Sequence, residues 1–125
     1  MTIQANVPIS YNGQYISVNT TSGNGSSGNP AHIGAHGLSI LTSTTNGVVY
    51  TLANGDRKGQ LKYLMFDTTA SCAVITQFHS SSLSTGLITG PGVSGASITL
   101  CYSGTGWIVL ARGASDTGGT VPAIG

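Results

Sequence analysis

Residues 97–112 read SITLCYSGTGWIVLAR, and this stretch decides the fold class. Two runs rich in Ile, Val, Thr and Leu flank the short polar segment 103–106, which carries two glycines. β-Branched and large apolar residues favour strands, and glycine reaches positive φ at low cost, so the pattern is typical of a tight β-hairpin. The only Trp, Trp107, follows the turn directly. A Trp there could be a ligand-stacking platform, but the other aromatics alternate within strands, which favours a core or interface anchor.

The same alternation of apolar and polar residues extends outward from the hairpin. It predicts strands over residues 38–42, 48–52, 60–67, 72–78, 87–89, 96–102 and 107–112, and a further hairpin over 9–18 around Asn12-Gly13. Helical periodicity is not convincing anywhere, and no internal repeat is evident, which argues against a solenoid or propeller. We therefore predict an all-β protein, a jelly-roll-like antiparallel β-sandwich over residues 8–113. An extended N-terminal arm (1–7) precedes it, a long loop occupies 19–37, and a flexible glycine-rich tail (114–125) follows.

The composition limits the possible partners. Only 6% of the residues are charged and Glu is absent, whereas Ser and Thr number sixteen each. Disorder is disfavoured because apolar residues reach 39% and fall in discrete runs. A formal net charge of +1 without a basic stripe argues against nucleic-acid binding, and no run is long enough to span a membrane. The N-terminus lacks the pattern of a secretory signal, so we expect synthesis in the cytoplasm.

No constellation of residues predicts catalysis or cofactor binding. His32 and His36 stand four apart, but among glycines and without a third ligand nearby they are read as loop histidines rather than a metal site. His79 before three serines lacks the acid and the nucleophile elbow of a hydrolase. Cys72 and Cys101 could pair, although two buried free thiols fit a reducing cytoplasm better. We expect no enzymatic activity, no metal and no cofactor.

The order of motifs in the second half of the chain resembles a known module. Gly-Gln-x-Lys at residues 59–62, an alternating strand at 72–76, Thr-Leu-x-Tyr at 99–102 and Gly-x-Gly-Trp at 104–107 are similar to the pattern of small structural proteins of tailed bacteriophages. Those proteins are capsid decoration (cement) proteins and fibre-tip domains. The likeness covers about the last half of the chain and is one of pattern rather than of catalytic motif.

The resemblance implies a virion component. The expected function is a cement protein that binds the outer capsid surface, a homotrimer that bridges neighbouring major capsid subunits. Ile3 and Val7 in the arm are the candidate capsid contacts, because short apolar-tipped arms suit strand addition to another chain. The turn residues Asp56, Arg57 and Lys58 are candidate subunit contacts in a chain so poor in charge. The alternative is a receptor- or glycan-binding tip of a tail fibre.

Overall fold

The computed structural model describes residues 18–21, 30–43, 45–79, 86–115 and 119–125 and contains two five-stranded sheets. The expected arm with Ile3 and Val7, and the expected hairpin at Asn12-Gly13, lie outside these residues. The strands are β1 (Val18–Thr21), β2 (Ala31–Ile33), β3 (Gly37–Leu41), β4 (Val48–Leu52), β5 (Leu61–Phe66), β6 (Cys72–Ile75), β7 (Leu87–Thr89), β8 (Ala96–Tyr102), β9 (Trp107–Gly113) and β10 (Ala123–Ile124). Sheet 1 has the order β1-β3-β5-β8-β9, and sheet 2 has the order β10-β7-β6-β4-β2. The prediction of an all-β sandwich is confirmed.

The connection of the first six strands differs from the prediction. The chain alternates between the two sheets from β1 to β6, so that β3 pairs in parallel with both β1 and β5. In sheet 2, β4 likewise pairs in parallel with β2 and β6. Antiparallel hairpins begin only with β6–β7 and β8–β9. The sheets are therefore mixed, and the antiparallel pairing expected for these strands is wrong.

The core lies between the sheets and follows the alternation of the strands. In β8 the inward positions Ala96, Ile98, Leu100 and Tyr102 are buried, and their neighbours are half-buried. β4 and β5 show the same period of two. Full burial of one large apolar side chain contributes about 1.5–3 kcal/mol, so this shared layer is what holds the two sheets together.

Trp107 closes one side of the sandwich by joining sheet 1 to sheet 2. Its backbone N–H donates to Gln77 O at 2.8 Å, and its carbonyl accepts from His79 N at 3.0 Å. Its indole Nε1 donates to Ala53 O at 3.1 Å, and its ring meets the Tyr102 ring edge-on with centroids 5.1 Å apart. Only 1% of Trp107 is exposed. Trp107 is therefore a core residue and not an exposed platform.

The two glycines of the β8–β9 turn meet different requirements. Gly104 has φ of +103°, as the hairpin pattern predicts. Gly106 has no positive φ, but a Cβ there would lie 2.5 Å from the backbone carbon of Phe78 and 2.6 Å from His79 N. Gly106 is thus required for the close approach of β9 to residues 77–79.

The C-terminal residues pair with sheet 2 rather than forming a loose tail. Gly125 and Leu87 exchange two backbone hydrogen bonds of 2.9 Å each, next to the β10–β7 pairing. Pro122 is buried, and Arg112 Nη1 donates to its carbonyl at 3.2 Å. The described end of the expected tail is therefore the edge strand of sheet 2.

We expect Gly106→Ala to destabilise the fold, because the added methyl meets backbone that cannot rotate away. Overpacking of this kind lowers the free energy of unfolding by about 1–3 kcal/mol. Gly34→Ala is the matched control, since a Cβ at Gly34 meets nothing within 4 Å. Urea unfolding followed by Trp107 fluorescence measures both. Equal stability of the two variants would contradict the close approach.

Candidate functional site

The charged end of the sandwich is formed by the turns at residues 34–36, 53–60 and 103–106. Asp56, Arg57 and Lys58, the predicted subunit contacts, are exposed there. Asp56 Oδ2 lies 2.6 Å from His36 Nε2, so one member of the triplet is paired within the chain. Gln60 orders the turn, because its Oε1 accepts from Asp56 N at 2.6 Å and its Nε2 donates to Ala35 O at 2.8 Å. The turn therefore presents Arg57 and Lys58 from a fixed backbone.

A buried lysine that the sequence reading did not single out lies beneath this end. Lys62 is 0% exposed, and its Nζ donates to His36 O at 2.9 Å and to Ser39 Oγ at 2.7 Å. Both acceptors are neutral, and burial lowers the pKa of the Lys62 ammonium to about 8. The burial of Lys62 could have been predicted from the sequence, because Lys62 alternates with Leu64 and Phe66 at the inward positions of the run LKYLMF.

The lowered pKa of Lys62 predicts a specific pH dependence of stability. Between about pH 8 and pH 10.5 the folded chain has lost the Lys62 proton that the unfolded chain still binds, so the contribution of Lys62 to the free energy of unfolding rises with pH, by up to about 3 kcal/mol. The raised pKa of the Cys72 thiol acts in the opposite direction in every variant, so the comparison between variants isolates Lys62. We expect Lys62→Met to lack this rise and Lys58→Met, at an exposed position, to keep it. Urea unfolding at pH 7 and pH 10 measures the difference. A rise retained in Lys62→Met would contradict the assignment.

A groove of about 520 Å³ lies beside the edge strand β9. Its lining is mainly apolar, with Arg112 and His79 as its polar groups; the other lining residues are Phe78, Trp107, Ile108, Val109 and Ile124. β9 and β10 are the edge strands of the two sheets on this side. Within the described residues the start of the β9 edge is already occupied, because Trp107 bonds to Gln77 and His79. The part of β9 beyond Trp107 can accept an added strand, so it and the groove together form a surface suited to an extended apolar segment.

His79 and Ser103 approach each other without forming a catalytic arrangement. His79 Nδ1 lies 2.7 Å from Ser103 Oγ. That hydroxyl is engaged in the hairpin turn, donating to Gly106 O at 2.9 Å and accepting from Gly106 N at 3.2 Å. The two carboxylates in the described part of the chain lie elsewhere, since Asp56 pairs with His36 and Asp67 accepts from Ser94 Oγ at 2.8 Å. The contact holds the turn at the charged end.

The remaining candidates are separated by the fold. His32 is exposed on β2, whereas His36 is bonded to Asp56. Within the described ranges no group of three or more His, Cys, Asp or Glu side chains could hold a metal ion. Cys72 and Cys101 are free thiols, Cys72 buried and Cys101 half-buried, and burial raises the pKa of the Cys72 thiol. In the same part of the chain, no helix has the length and apolarity needed to cross a membrane.

Comparison with known proteins assigns no family to this chain. No protein-family model matches it, and a search of curated proteins also found no match. Function must therefore be inferred from the surfaces described above.

We expect Trp107→Ala to lower the free energy of unfolding by about 3–5 kcal/mol, as for other buried Trp truncations. Trp107→Phe keeps an aromatic ring against Tyr102 but removes the indole donor to Ala53 O, so a smaller loss of about 1–3 kcal/mol is expected. Thermal unfolding monitored by circular dichroism measures both. Unchanged melting temperatures with loss of glycan or receptor binding would instead favour an exposed binding platform.

Proposed function

We propose that this protein is a capsid decoration (cement) protein of a tailed bacteriophage, bound to the outer capsid surface as a homotrimer and bridging neighbouring capsid subunits. The observation that carries the proposal is the distribution of surface chemistry. Three of the five exposed charged side chains in the described residues stand together in the turn at Asp56, Arg57 and Lys58. Exposed large apolar side chains stand on both sheets, namely Leu61, Ile75, Leu87, Ile108 and Leu110. Such a surface is more typical of a protein that is bound permanently to other proteins than of one that is free in solution.

The site geometry supports a structural role in two further ways. The His79–Ser103 pair is occupied in a turn, and the groove has an apolar lining next to the part of the β9 edge that lies beyond Trp107. A bridging protein must contact at least two neighbours, and the edge strand β9 and the charged turn are two separate surfaces for such contacts. The pattern shared with phage decoration proteins supplies the capsid as the partner.

The location of the protein on the particle tests the proposal against a tail-fibre tip. Antibodies against the protein, labelled with gold and applied to particles of the phage that encodes it, should mark the capsid shell. Labelling confined to the end of the tail would contradict the proposal and favour the receptor-binding alternative.

We expect deletion of residues 2–7, which include Ile3 and Val7, to leave the body folded and to weaken attachment to expanded capsids. The arm has too little apolar area to fold alone, but it can add to a sheet edge on the capsid. Co-sedimentation with expanded capsids measures attachment, and circular dichroism checks the fold. If the shortened protein binds as tightly as the full chain, the arm is not the clamp. The turn at residues 54–59 would then be the next contact to test, with Arg57→Ser and Lys58→Ser.

A further inference from the structure

A second pocket lies at the charged end of the sandwich and is lined by positively charged side chains. It has a volume of about 360 Å³, and its lining residues are His36, Arg57, Lys58, Gly59 and Gln60. This volume is near the lower end of the range of about 300–1,000 Å³ for ligand pockets. The pocket, called the cationic pocket below, therefore has room for a few side-chain atoms or a small ion and not for an added strand.

The positive charge of the chain is concentrated beside the cationic pocket. Three of the four Lys and Arg residues, Arg57, Lys58 and Lys62, lie within one short segment. The formal charges of residues 56–62 sum to +2, whereas the charges of the rest of the chain sum to −1. Lys62 is buried beneath the pocket, and its Nζ is bonded to the carbonyl of the lining residue His36. The pocket is therefore an electropositive site on a surface that otherwise carries little charge.

The two exposed cations of the pocket have no counter-ion within the described residues. Asp56 is the carboxylate next to them in sequence, but its Oδ2 lies 2.6 Å from His36 Nε2. In the part of the chain that the structure describes, neither Arg57 nor Lys58 forms an ion pair or a side-chain hydrogen bond. The guanidinium and the ammonium group are thus both available to a ligand.

The backbone of the cationic pocket is held in place by hydrogen bonds. Gln60 N donates to Arg57 O at 3.2 Å, which closes a turn in which Gly59 has a φ of +90°. Gly59 N donates to Tyr102 O at 2.8 Å and so joins the turn to β8. The Gln60 side chain adds two further bonds to the backbone. Because the backbone is already ordered, a ligand has to order only the side chains of Arg57 and Lys58.

We propose that the cationic pocket binds carboxylate side chains of an acidic segment on a partner protein. The guanidinium of Arg57 can hold both oxygens of one carboxylate, and Lys58 provides a second positive charge next to it. This inference rests on the proposed function for the identity of the partner, which is the capsid subunit. It adds the chemistry of that contact, namely an acidic surface segment of the capsid subunit in the cationic pocket.

The same observations favour a protein ligand over a nucleic acid. Proteins that bind the phosphate backbone commonly make about 6–10 phosphate contacts, whereas the excess charge here is +2 within one turn. Single strands are also bound by stacking of their bases on aromatic side chains. Among the described residues, no Phe, Tyr or Trp lines the cationic pocket. One or two carboxylates match its size and charge.

The first test is an NMR titration of the isotope-labelled protein with the peptide hexaglutamate at low salt. We expect chemical-shift changes confined to His36 and residues 56–60. Arg57→Gln and Lys58→Gln should each weaken binding by roughly threefold, as expected for loss of one exposed ion pair. Thr45→Glu is the matched control, because it changes the net charge by the same amount. Thr45 is exposed before the start of β4, whereas residues 53–60 follow the end of that strand, so the control should bind as the wild type does.

Asp56→Asn should change the affinity in the opposite direction. It removes a negative charge beside the pocket and keeps an oxygen that can accept from His36 Nε2, so binding of hexaglutamate should become roughly twofold tighter. A purely structural role of Asp56 in the turn predicts weaker or unchanged binding. The proposal is overturned if Asp56→Asn does not bind more tightly, if Arg57→Gln binds as the wild type does, or if Thr45→Glu loses as much affinity. A single-stranded DNA hexamer that binds as tightly as the peptide overturns it in favour of a phosphate ligand.

Co-sedimentation with expanded capsids separates this site from the proposed function. The double variant Arg57→Gln, Lys58→Gln should dissociate from capsids at lower salt than the wild type does, because exposed charge pairs are screened by salt. The double control Thr45→Glu, Asn46→Asp, with the same net charge, should not. Equal capsid binding by the wild type and the Gln double variant at every salt concentration overturns this contact and leaves the proposed function standing. A wild type that binds hexaglutamate as described but does not bind capsids leaves the site standing and contradicts the proposed function.

Discussion

The structure depends on the attachment of Trp107 to the ends of two strands of sheet 2. Sheet 1 and sheet 2 share a core of apolar side chains, but such packing is non-directional and does not by itself fix how the sheets are aligned. The backbone hydrogen bonds of Trp107 to Gln77 and His79, and the indole bond to Ala53, supply that alignment at one side. Because Gly106 has no side chain, the two segments can approach closely enough to form these bonds. The groove beside β9 and the charged end are both positioned by this closure.

Local features of the fold were readable from the sequence, and non-local ones were not. The β8–β9 hairpin was predicted within one residue, because the turn and both strands lie in one short segment. β2 was placed in a loop because Ala31, His32 and Ile33 are too few to show a period among neighbouring glycines. Between β2 and β4 the chain passes through β3 in the other sheet before it returns to pair in parallel with β2. No pattern of neighbouring residues predicts such a pairing.

The same distinction applies to the candidate site. The exposed turn of Asp56, Arg57 and Lys58 was predicted from its polarity alone. The contact of Asp56 with His36 was not, because those residues belong to successive passes of the chain and meet only when β3 and β5 align. Lys62 shows the opposite case, since its inward position could have been read from the alternation of β5.

The scarcity of charge links the fold to the proposed assembly. A chain with 6% charged residues keeps its surface hydrated mainly through hydroxyl and amide groups, and it has little net charge to keep copies apart. A cryo-EM reconstruction of the phage particle tests this account most directly. It should show groups of three copies on the outer capsid surface, each group in contact with at least two neighbouring capsid subunits. Density for the protein at the tail tip alone would contradict it.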